Sequence, residues 1–268
     1  MDGASLSISP PGCAHRAVTA PAPGCENRSP DARAVSLLDI VGLHKRYGDQ
    51  TVLAGVDFGV AAGDVLGIIG PNGAGKTTLL ETIAGVTPAD AGAVFWRGTP
   101  LPQPRRRECI FYLPDGIRPY HDQPVARVLG FFAGVYRRRD TDVGAAIAAV
   151  GLAPVLRQRV QTLSKGYARR LMLALGLLVP HPLVLMDEPF DGFDLRQMRA
   201  MAQVLRGVAG EGRTLVLAIH QLADAERVCD RFVLLADGCV RGSGTLAELR
   251  ARIDQPDAGL EEVFLALT

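Results

Sequence analysis

The sequence lacks an apolar run long enough to cross a bilayer. Its longest strongly apolar stretch, residues 171–179, has nine residues, about half of the roughly 20 that a membrane-spanning helix needs. The first residues also lack a basic start followed by an apolar core, the pattern that a secretory signal requires. We therefore expect a cytoplasmic protein that does not span a membrane by itself.

Neither sign of charge is in excess. Lys and Arg number 29 and Asp and Glu number 28, a formal net charge of +1, so no global field attracts nucleic acid or anionic lipid. The basic runs 105–107 and 137–139 are interpreted as solvated faces. Any charged partner must therefore be recognised by a local site.

The five cysteines lack the paired spacing of a zinc or redox site. They are scattered along the chain and include no CxxC pair. A disulfide framework or a zinc site is the alternative, but an odd and scattered set favours free thiols in a reducing compartment.

Domain organisation follows from length and from where apolar patterns begin. The 268 residues leave room for one domain of about 230 residues and a tail. Residues 1–34 are rich in Pro, Ala, Ser and Gly and have almost no periodic apolar pattern, so we predict a disordered tail. Residues 35–268 are predicted to form a single domain, and no internal repeat is found.

Short apolar runs alternate with helical patterns through this domain. Runs at 37–41 and 52–60 predict N-terminal strands, separated by turns. A buried strand at 65–69 leads into a Gly-rich loop and a helix from Lys76 to about Ala84. Further apolar runs lie at 183–186, 214–219 and 232–235. We predict an α/β fold with a mostly parallel core sheet, an antiparallel N-terminal part and a helical insert at about 120–178.

The loop after the strand at 65–69 has the pattern that binds phosphate. Residues 70–78 read Gly-Pro-Asn-Gly-Ala-Gly-Lys-Thr-Thr and match GxxxxGK[ST] in the required strand–loop–helix context. Lys76 is predicted to reach the outer phosphates of ATP and Thr77 to ligate Mg²⁺, while backbone N–H groups surround the phosphates. A glycine-rich turn without a ligand is the alternative. The predicted nucleotide-binding residues here are Gly70, Pro71, Asn72, Gly73, Ala74, Gly75, Lys76, Thr77 and Thr78.

Two adjacent carboxylates follow a second buried strand. Asp187 and Glu188 come directly after the run at 183–186, and neighbouring positions on a strand point to opposite sides. Asp187 is expected to hold the water shell of Mg²⁺, and Glu188 to act as a base or to orient the attacking water. Solvated loop charges are the alternative, which the phosphate loop disfavours.

With these motifs the chain resembles the nucleotide-binding subunits of ATP-binding cassette (ABC) transporters, over roughly residues 36–268. Residues 163–167, Leu-Ser-Lys-Gly-Tyr, resemble the signature sequence of that family, normally Leu-Ser-Gly-Gly-Gln. The resemblance implies that Ser164 and Gly166 grip the γ-phosphate of ATP held by a partner subunit; a plain helix cap at Ser164 is the alternative. Asp194 is the last residue of a Gly-Phe-Asp segment that is similar to the family segment at the contact between two such subunits. The resemblance implies that Asp194 also contributes to nucleotide binding.

Three further positions match the family. His220 follows an apolar run and matches the switch histidine, so Glu188, His220 and Lys76 form the implied catalytic set. Tyr47 matches the aromatic residue that stacks on adenine, and Val52 is implied at the same nucleotide. A surface histidine and a half-buried turn tyrosine are the alternatives.

The sequence departs from the family pattern at three positions. Asp115, in Leu-Pro-Asp, stands where the family usually carries a glutamine that touches magnesium. A carboxylate can still coordinate magnesium, but its charge also repels the phosphates. Lys165 replaces a glycine and Tyr167 replaces the glutamine of the signature. Binding of ATP and Mg²⁺ is expected, and hydrolysis is expected because the implied catalytic set is complete.

The resemblance also implies partners. Two subunits, identical or different, sandwich two ATP molecules and drive a separate integral-membrane permease from the cytoplasmic face of the cell membrane. Residues 260–268 resemble the ending found in an export branch of the family, which favours export. Five aromatic residues are candidates for the groove that receives the permease, unless they are core: Tyr112, Tyr120, Phe131, Phe132 and Tyr136.

Two other functions remain open. A soluble cassette ATPase that acts on nucleic acid or the ribosome is disfavoured by the neutral charge and by the lack of tandem cassettes, and no nucleic-acid partner is expected. A nucleotide-binding regulator that barely hydrolyses ATP is suggested by Asp115 and by the altered signature.

Overall fold

The computed structural model describes residues 36–268, so the predicted disordered tail at 1–34 lies outside the described residues. The described part contains ten strands, eight α-helices and three short 3₁₀ helices at Gln103–Glu108, Ala153–Val155 and Val160–Thr162. Within it, no helix combines the length and the apolar character that crossing a membrane requires.

The elements follow one another along the chain as two ordered series. The strands are β1 (Ser36–Tyr47), β2 (Gln50–Ala61), β3 (Val65–Ile69), β4 (Ala91–Trp96), β5 (Thr99–Pro100), β6 (Ile110–Leu113), β7 (Leu183–Asp187), β8 (Thr214–Ile219), β9 (Arg231–Ala236) and β10 (Cys239–Gly244). The helices are α1 (Lys76–Ala84), α2 (Val125–Val135), α3 (Asp140–Val150), α4 (Lys165–Leu178), α5 (Leu195–Gly210), α6 (Leu222–Val228), α7 (Leu246–Arg252) and α8 (Leu260–Leu267).

The first sheet is antiparallel and has the strand order β2-β1-β4-β5. Its longest hairpin joins β1 to β2 through the turn at Gly48 and Asp49, and the last pair is Tyr47 with Gln50. The turn expected at this place is therefore present. Tyr47 lies at the tip of the hairpin, where its ring is 49% exposed.

The second sheet has the order β10-β9-β3-β8-β7-β6, in which β6, β7, β8, β3 and β9 run parallel and β10 runs antiparallel. Every residue of β3, β7 and β8 is buried. A strand covered on both faces reads as a continuous apolar run, the pattern from which these strands were predicted. The predicted fold class is confirmed.

Two hydrophobic cores lie on opposite faces of this sheet. Along β3, Val65 and Ile69 belong to the core beneath α2 to α6, whereas Leu66 and Ile68 belong to the core shared with α1 and the antiparallel sheet. This division follows from the alternation of side chains along a strand. The sheet is thereby held rigidly between the two layers.

The carboxyl ends of β3, β8 and β7 lie side by side in the middle of the sheet. The phosphate-loop segment follows β3, His220 follows β8, and Glu188 follows β7. Ligands of parallel α/β sheets bind at such an edge. Strand order therefore gathers three segments that are far apart in the sequence.

Candidate nucleotide site

The loop between β3 and α1 owes its shape to glycine. Gly75 has φ of 101°, a left-handed conformation that other residues avoid, and a Cβ there would lie 2.9 Å from the Val52 carbonyl oxygen. A Cβ on Gly70 would lie 2.2 Å from the carbonyl oxygen of Leu235. The start of α1 has no side-chain cap. Its first-turn N–H groups therefore point into the loop as hydrogen-bond donors.

Lys76 is buried under this loop. Its side chain is 7% exposed, and Nζ donates to the carbonyl oxygens of Gly70 at 2.8 Å and Pro71 at 3.3 Å. Nζ also lies 4.0 Å from Oε1 of Glu188. Burial lowers the pKa of Lys76, whereas the nearby charges of Glu188 and Asp187 raise it. The ammonium group is thus held at the loop by neutral carbonyl oxygens and one carboxylate.

Thr77 connects the loop to the end of β7. Its Oγ1 donates to Oδ2 of Asp187 at 2.7 Å. Asp187 is 2% exposed, and its Oδ1 is buried without a hydrogen-bond partner in the described residues. Burial raises the pKa of Asp187, the Thr77 hydrogen bond lowers it, and the charges of Glu188 and Asp115 raise it further. A buried carboxylate oxygen that lacks a donor fits a hard cation.

Glu188 is turned away from Asp187 by its backbone. The expectation was that strand alternation separates the two carboxylates, but β7 ends at Asp187 and Glu188 adopts φ of 49°. Its N–H still donates to the carbonyl oxygen of Ala218 at 3.0 Å. A residue other than glycine at positive φ is strained, and such strain concentrates at functional sites.

His220 lies against Glu188. The distance from Nδ1 of His220 to Oε2 of Glu188 is 2.6 Å. His220 is 39% exposed at its side chain and Glu188 18%, so the pair is open to solvent on the histidine side. The contacts described so far therefore join five of the predicted residues into one cluster, which we call the catalytic cluster: Lys76, Thr77, Asp187, Glu188 and His220.

Other predicted residues lie apart from the catalytic cluster. Ser164 caps α4, where its Oγ accepts from the N–H of Tyr167 at 3.3 Å, and Asp194 caps α5, where its Oδ1 accepts from the N–H of Gln197 at 2.8 Å. Ser164 and Asp194 are exposed, and Gly166 is partly exposed. None of their hydrogen bonds within residues 36–268 reaches the catalytic cluster.

Tyr47 and Val52 belong to the hairpin beside the loop. The ring of Tyr47 lies 5.1 Å from Nζ of Lys45, measured to the ring centroid. The carbonyl of Val52 packs against Gly75, because a Cβ on that glycine would meet it. The hairpin therefore borders the phosphate loop and leaves one face of the tyrosine ring to solvent.

Asp115 follows β6 and is ion-paired with Arg169 of α4. The carboxylate is 47% exposed and the guanidinium only 8%. Sequence reasoning missed Arg169, because nothing in its local pattern connects it to a carboxylate 54 residues away.

The five aromatic residues considered for a permease groove differ in exposure. Tyr120 and Phe131 are each 51% exposed, with ring centroids 5.2 Å apart. Phe132 and Tyr136 are partly buried and pack against the larger core, and the hydroxyl of Tyr112 is buried. Ring contacts nevertheless join four of them into one row, since Phe131 lies 5.9 Å from Phe132 and Phe132 lies 6.3 Å from Tyr136. The groove stays a prediction.

Comparison with known proteins identifies the family. Residues 53–191 match the family model described as "ABC transporter". The chain belongs to the ABC transporter family. It is a nucleotide-binding subunit, as predicted; cassettes of this fold bind ATP, and proteins of the family hydrolyse ATP to power transport.

Its relatives include cassettes named for export and for import. The chain is 33% identical over 218 residues to the Nod factor export ATP-binding protein I of Rhizobium meliloti (strain 1021), covering 78% of this chain and 64% of that protein. It is 35% identical over 204 residues to the aliphatic sulfonates import ATP-binding protein SsuB 2 of Burkholderia cenocepacia (strain HI2424), covering 76% and 75%.

A solved structure agrees with this assignment. The structure titled "Structure of ATP binding subunit of ABC transporter" has a TM-score of 0.77 and 31% sequence identity to this cassette. The match covers 87% of this chain and 99% of that chain. The cassette therefore has the fold of an ABC ATP-binding subunit.

Proposed function

We propose that this cassette hydrolyses ATP within a pair of cassettes and thereby drives a separate membrane permease. The observation that carries the proposal is the convergence of the catalytic cluster at the carboxyl ends of β3, β7 and β8. A cation, a hydroxyl, two carboxylates and a histidine meet there beside the phosphate loop and the start of α1, which has no side-chain cap.

ATP binds along the phosphate loop in this proposal. Lys76 exchanges its carbonyl partners for phosphate oxygens, because an ammonium group is attracted more strongly by anionic oxygens than by neutral carbonyl oxygens. Backbone N–H groups of the loop and of the start of α1 surround the phosphates. The exposed ring of Tyr47 stacks on adenine, and Val52 lies beside it.

Thr77 and Asp187 hold Mg²⁺, and Asp115 contributes a further oxygen to its surroundings. Both Thr77 and Asp187 fit, since the buried Oδ1 of Asp187 lacks a donor and a magnesium site needs only one or two carboxylates in addition to phosphate oxygens. When bound, Mg²⁺ would be held by Thr77 and Asp187 and would offset the negative charge of the phosphates.

Glu188 acts on the water that attacks the γ-phosphate. His220 contacts Oε2 and Lys76 lies near Oε1, so the carboxylate is held between two nitrogen groups. A carboxylate held in this way orients a water and accepts its proton. His220 positions Glu188 through its contact with Oε2. The rest of its side chain is open to solvent.

A second cassette completes each site. Ser164 and Gly166 begin α4, a 14-residue helix, and Asp194 begins α5. These residues are at least partly exposed, and the hydrogen bonds of Ser164 and Asp194 within residues 36–268 go to the first turns of their own helices. They grip the nucleotide of the partner cassette, and two identical or different subunits enclose two ATP molecules.

An exposed apolar patch, formed by Ile117, Tyr120, Phe131 and Val135, receives the permease. Each of these side chains is between 49% and 57% exposed, and contiguous exposed apolar side chains mark interaction sites. The patch follows directly on the Asp115 loop, which connects it to the nucleotide site. The cassette therefore sits on the cytoplasmic face of the cell membrane.

Export is the proposed direction. The support is the ending at 260–268, which resembles an export branch and forms helix α8, together with the similarity to a relative named for Nod factor export. Reconstitution with the permease in vesicles tests this, because ATP added outside inverted vesicles should drive uptake in an exporter.

The first experiment measures Mg²⁺-dependent ATP hydrolysis by the full chain and by Lys76→Ala and Glu188→Gln, with light scattering with and without ATP. We expect turnover in the wild type, loss of ATP binding in Lys76→Ala, and an ATP-bound dimer without turnover in Glu188→Gln. Glu261→Gln, an exposed change on α8, is the matched control. ATP binding without turnover or dimerisation would instead support the regulator.

A further inference from the structure

Arg169 is a buried cation outside the sites described so far. It lies in the second turn of α4 and is 7% exposed. Arginine is rarely buried unless it is paired, since an unpaired guanidinium loses its hydration. The contacts that keep Arg169 in this position therefore bear on the surrounding loops.

Arg169 contacts the loop after β6, the last residue of β7 and the loop after β7. Nη2 donates to Oδ1 of Asp115 and lies 3.9 Å from Oδ2 of Asp191, while Nη1 lies 3.5 Å from the carbonyl oxygen of Asp187. Lys165, one helical turn earlier on α4, bonds the same carboxylate of Asp191 at 2.7 Å. Residues four apart on a helix share a face, so one face of α4 supplies cations to two acidic loops.

The pairing matters because this edge of the sheet is rich in carboxylates. Asp115, Asp187 and Glu188 all lie where a polyphosphate is proposed to bind, and the charge of Asp115 contributes to the raised pKa of Asp187, which is caused chiefly by burial. An uncompensated carboxylate at Asp115 would add a further repulsion against phosphate. Arg169 is the buried cation bonded to that carboxylate.

We propose that Arg169 is a positioning residue for nucleotide binding, which keeps Asp115 as a charge-compensated oxygen acceptor beside the phosphates. The proposal rests on the proposed ATP site. One carboxylate oxygen of Asp115 is engaged by the guanidinium, while its 47% exposed side chain leaves the other side open. Asp115 can therefore accept a hydrogen bond or ligate a cation at the nucleotide, while the charge of Arg169 reduces its repulsion of the phosphates.

The test is a double-mutant cycle on the full chain, with the dissociation constants of MgATP and MgADP measured by calorimetry. The variants are Arg169→Gln, Asp115→Asn and the double variant, beside Lys76→Ala. Asn keeps an oxygen acceptor without the charge. Arg170→Gln is the matched control, because Arg170 bonds the carbonyl oxygen of Val150 at 3.0 Å rather than a carboxylate. Thermal unfolding without nucleotide is recorded for every variant.

Arg169→Gln should weaken MgATP binding by about tenfold, the effect of one uncompensated charge in a partly solvated site. The loss should be smaller for MgADP, which carries less charge, and smaller at high salt. The double variant should bind MgATP within about twofold of the wild type. Asp115→Asn should weaken MgATP binding less than Arg169→Gln does. It should also unfold at a lower temperature than the wild type, because Arg169 loses a partner.

Three results would overturn the proposal. The first is a double variant that binds MgATP as weakly as Arg169→Gln, the second is wild-type affinity in Arg169→Gln, and the third is a loss in Asp115→Asn equal to that in Arg169→Gln. Where Arg169→Gln does not fold, a loss of about tenfold in the MgATP affinity of Asp115→Asn overturns the proposal by itself. The proposed function fails separately, when the wild type and Lys76→Ala bind ATP equally.

Discussion

The hydrogen bond between Thr77 and Asp187 allows the stability of a Thr77 variant to be predicted from the structure. Thr77→Val replaces the hydroxyl by a methyl group of similar size and removes the 2.7 Å bond to Oδ2. Asp187 is 2% exposed, and its other oxygen already lacks a partner in the described residues. The substitution therefore leaves a buried carboxylate with neither oxygen bonded by protein.

The size of the effect follows from that burial. A hydrogen bond to a charged group is worth about 1.5–3 kcal/mol, and we expect Thr77→Val to lower the free energy of unfolding by about 2 kcal/mol. In a domain of this size about 1 kcal/mol shifts the unfolding midpoint by roughly 2–4 °C. The variant should therefore unfold roughly 4–8 °C below the wild type, in the absence of nucleotide.

Differential scanning calorimetry without nucleotide, and again with ATP and Mg²⁺, measures both roles of the hydroxyl. Thr77→Ser keeps the donor and is the matched control, expected to unfold close to the wild type. Thr77→Val should also gain less stability from MgATP than Thr77→Ser, because ligand stabilisation depends on affinity. This account of the site would be refuted if Thr77→Val had the same unfolding midpoint as Thr77→Ser and if MgATP raised both midpoints equally.

Three other substitutions test the catalytic cluster and the permease patch. Burial raises the pKa of Asp187, so its ionisation opposes folding at neutral pH; Asp187→Asn should raise the unfolding midpoint without nucleotide and lower Mg²⁺-dependent hydrolysis by at least about a hundredfold. A lower midpoint than that of the wild type would contradict this. His220→Ala should lower kcat by about a hundredfold or more and leave the dissociation constant of ATP within about threefold, since His220 contacts Glu188 and not the phosphate loop; an effect confined to ATP affinity would count against it. Phe131→Glu should leave the ATPase activity of the isolated chain unchanged but abolish copurification with a coexpressed permease, and undiminished copurification would exclude the patch as the docking site.

Local pattern carried much of the fold. The phosphate loop was predictable because its glycines, lysine and threonine are contiguous, and helix α1 follows with the expected bounds. Strands β3 and β8 also have the predicted bounds, since strands buried on both faces are continuous apolar runs. These features depend on residues that are close in the sequence, so the sequence alone determined them.

Tertiary structure decided which isolated charged and aromatic side chains are buried and which are exposed. The run at 105–107 was expected to be solvated, but Arg106 is 7% exposed and donates to the carbonyl oxygens of Leu101 and Thr82. The aromatic residues after β6 divide into the exposed Tyr120 and Phe131 and the partly buried Phe132 and Tyr136. Composition does not encode which side of a helix meets the core.

The ion pairs of Arg169 could not be predicted from the sequence. Asp115 and Arg169 are 54 residues apart, and they meet because the loop after β6 lies beside the start of α4. Likewise, Glu188 separates from Asp187 through a left-handed backbone turn and not through strand alternation. The sequence by itself determined which chemical groups are present and which segments are strands or helices. Strand order and burial decided which of those groups touch, because contacts between distant residues depend on how the layers pack and not on local spacing.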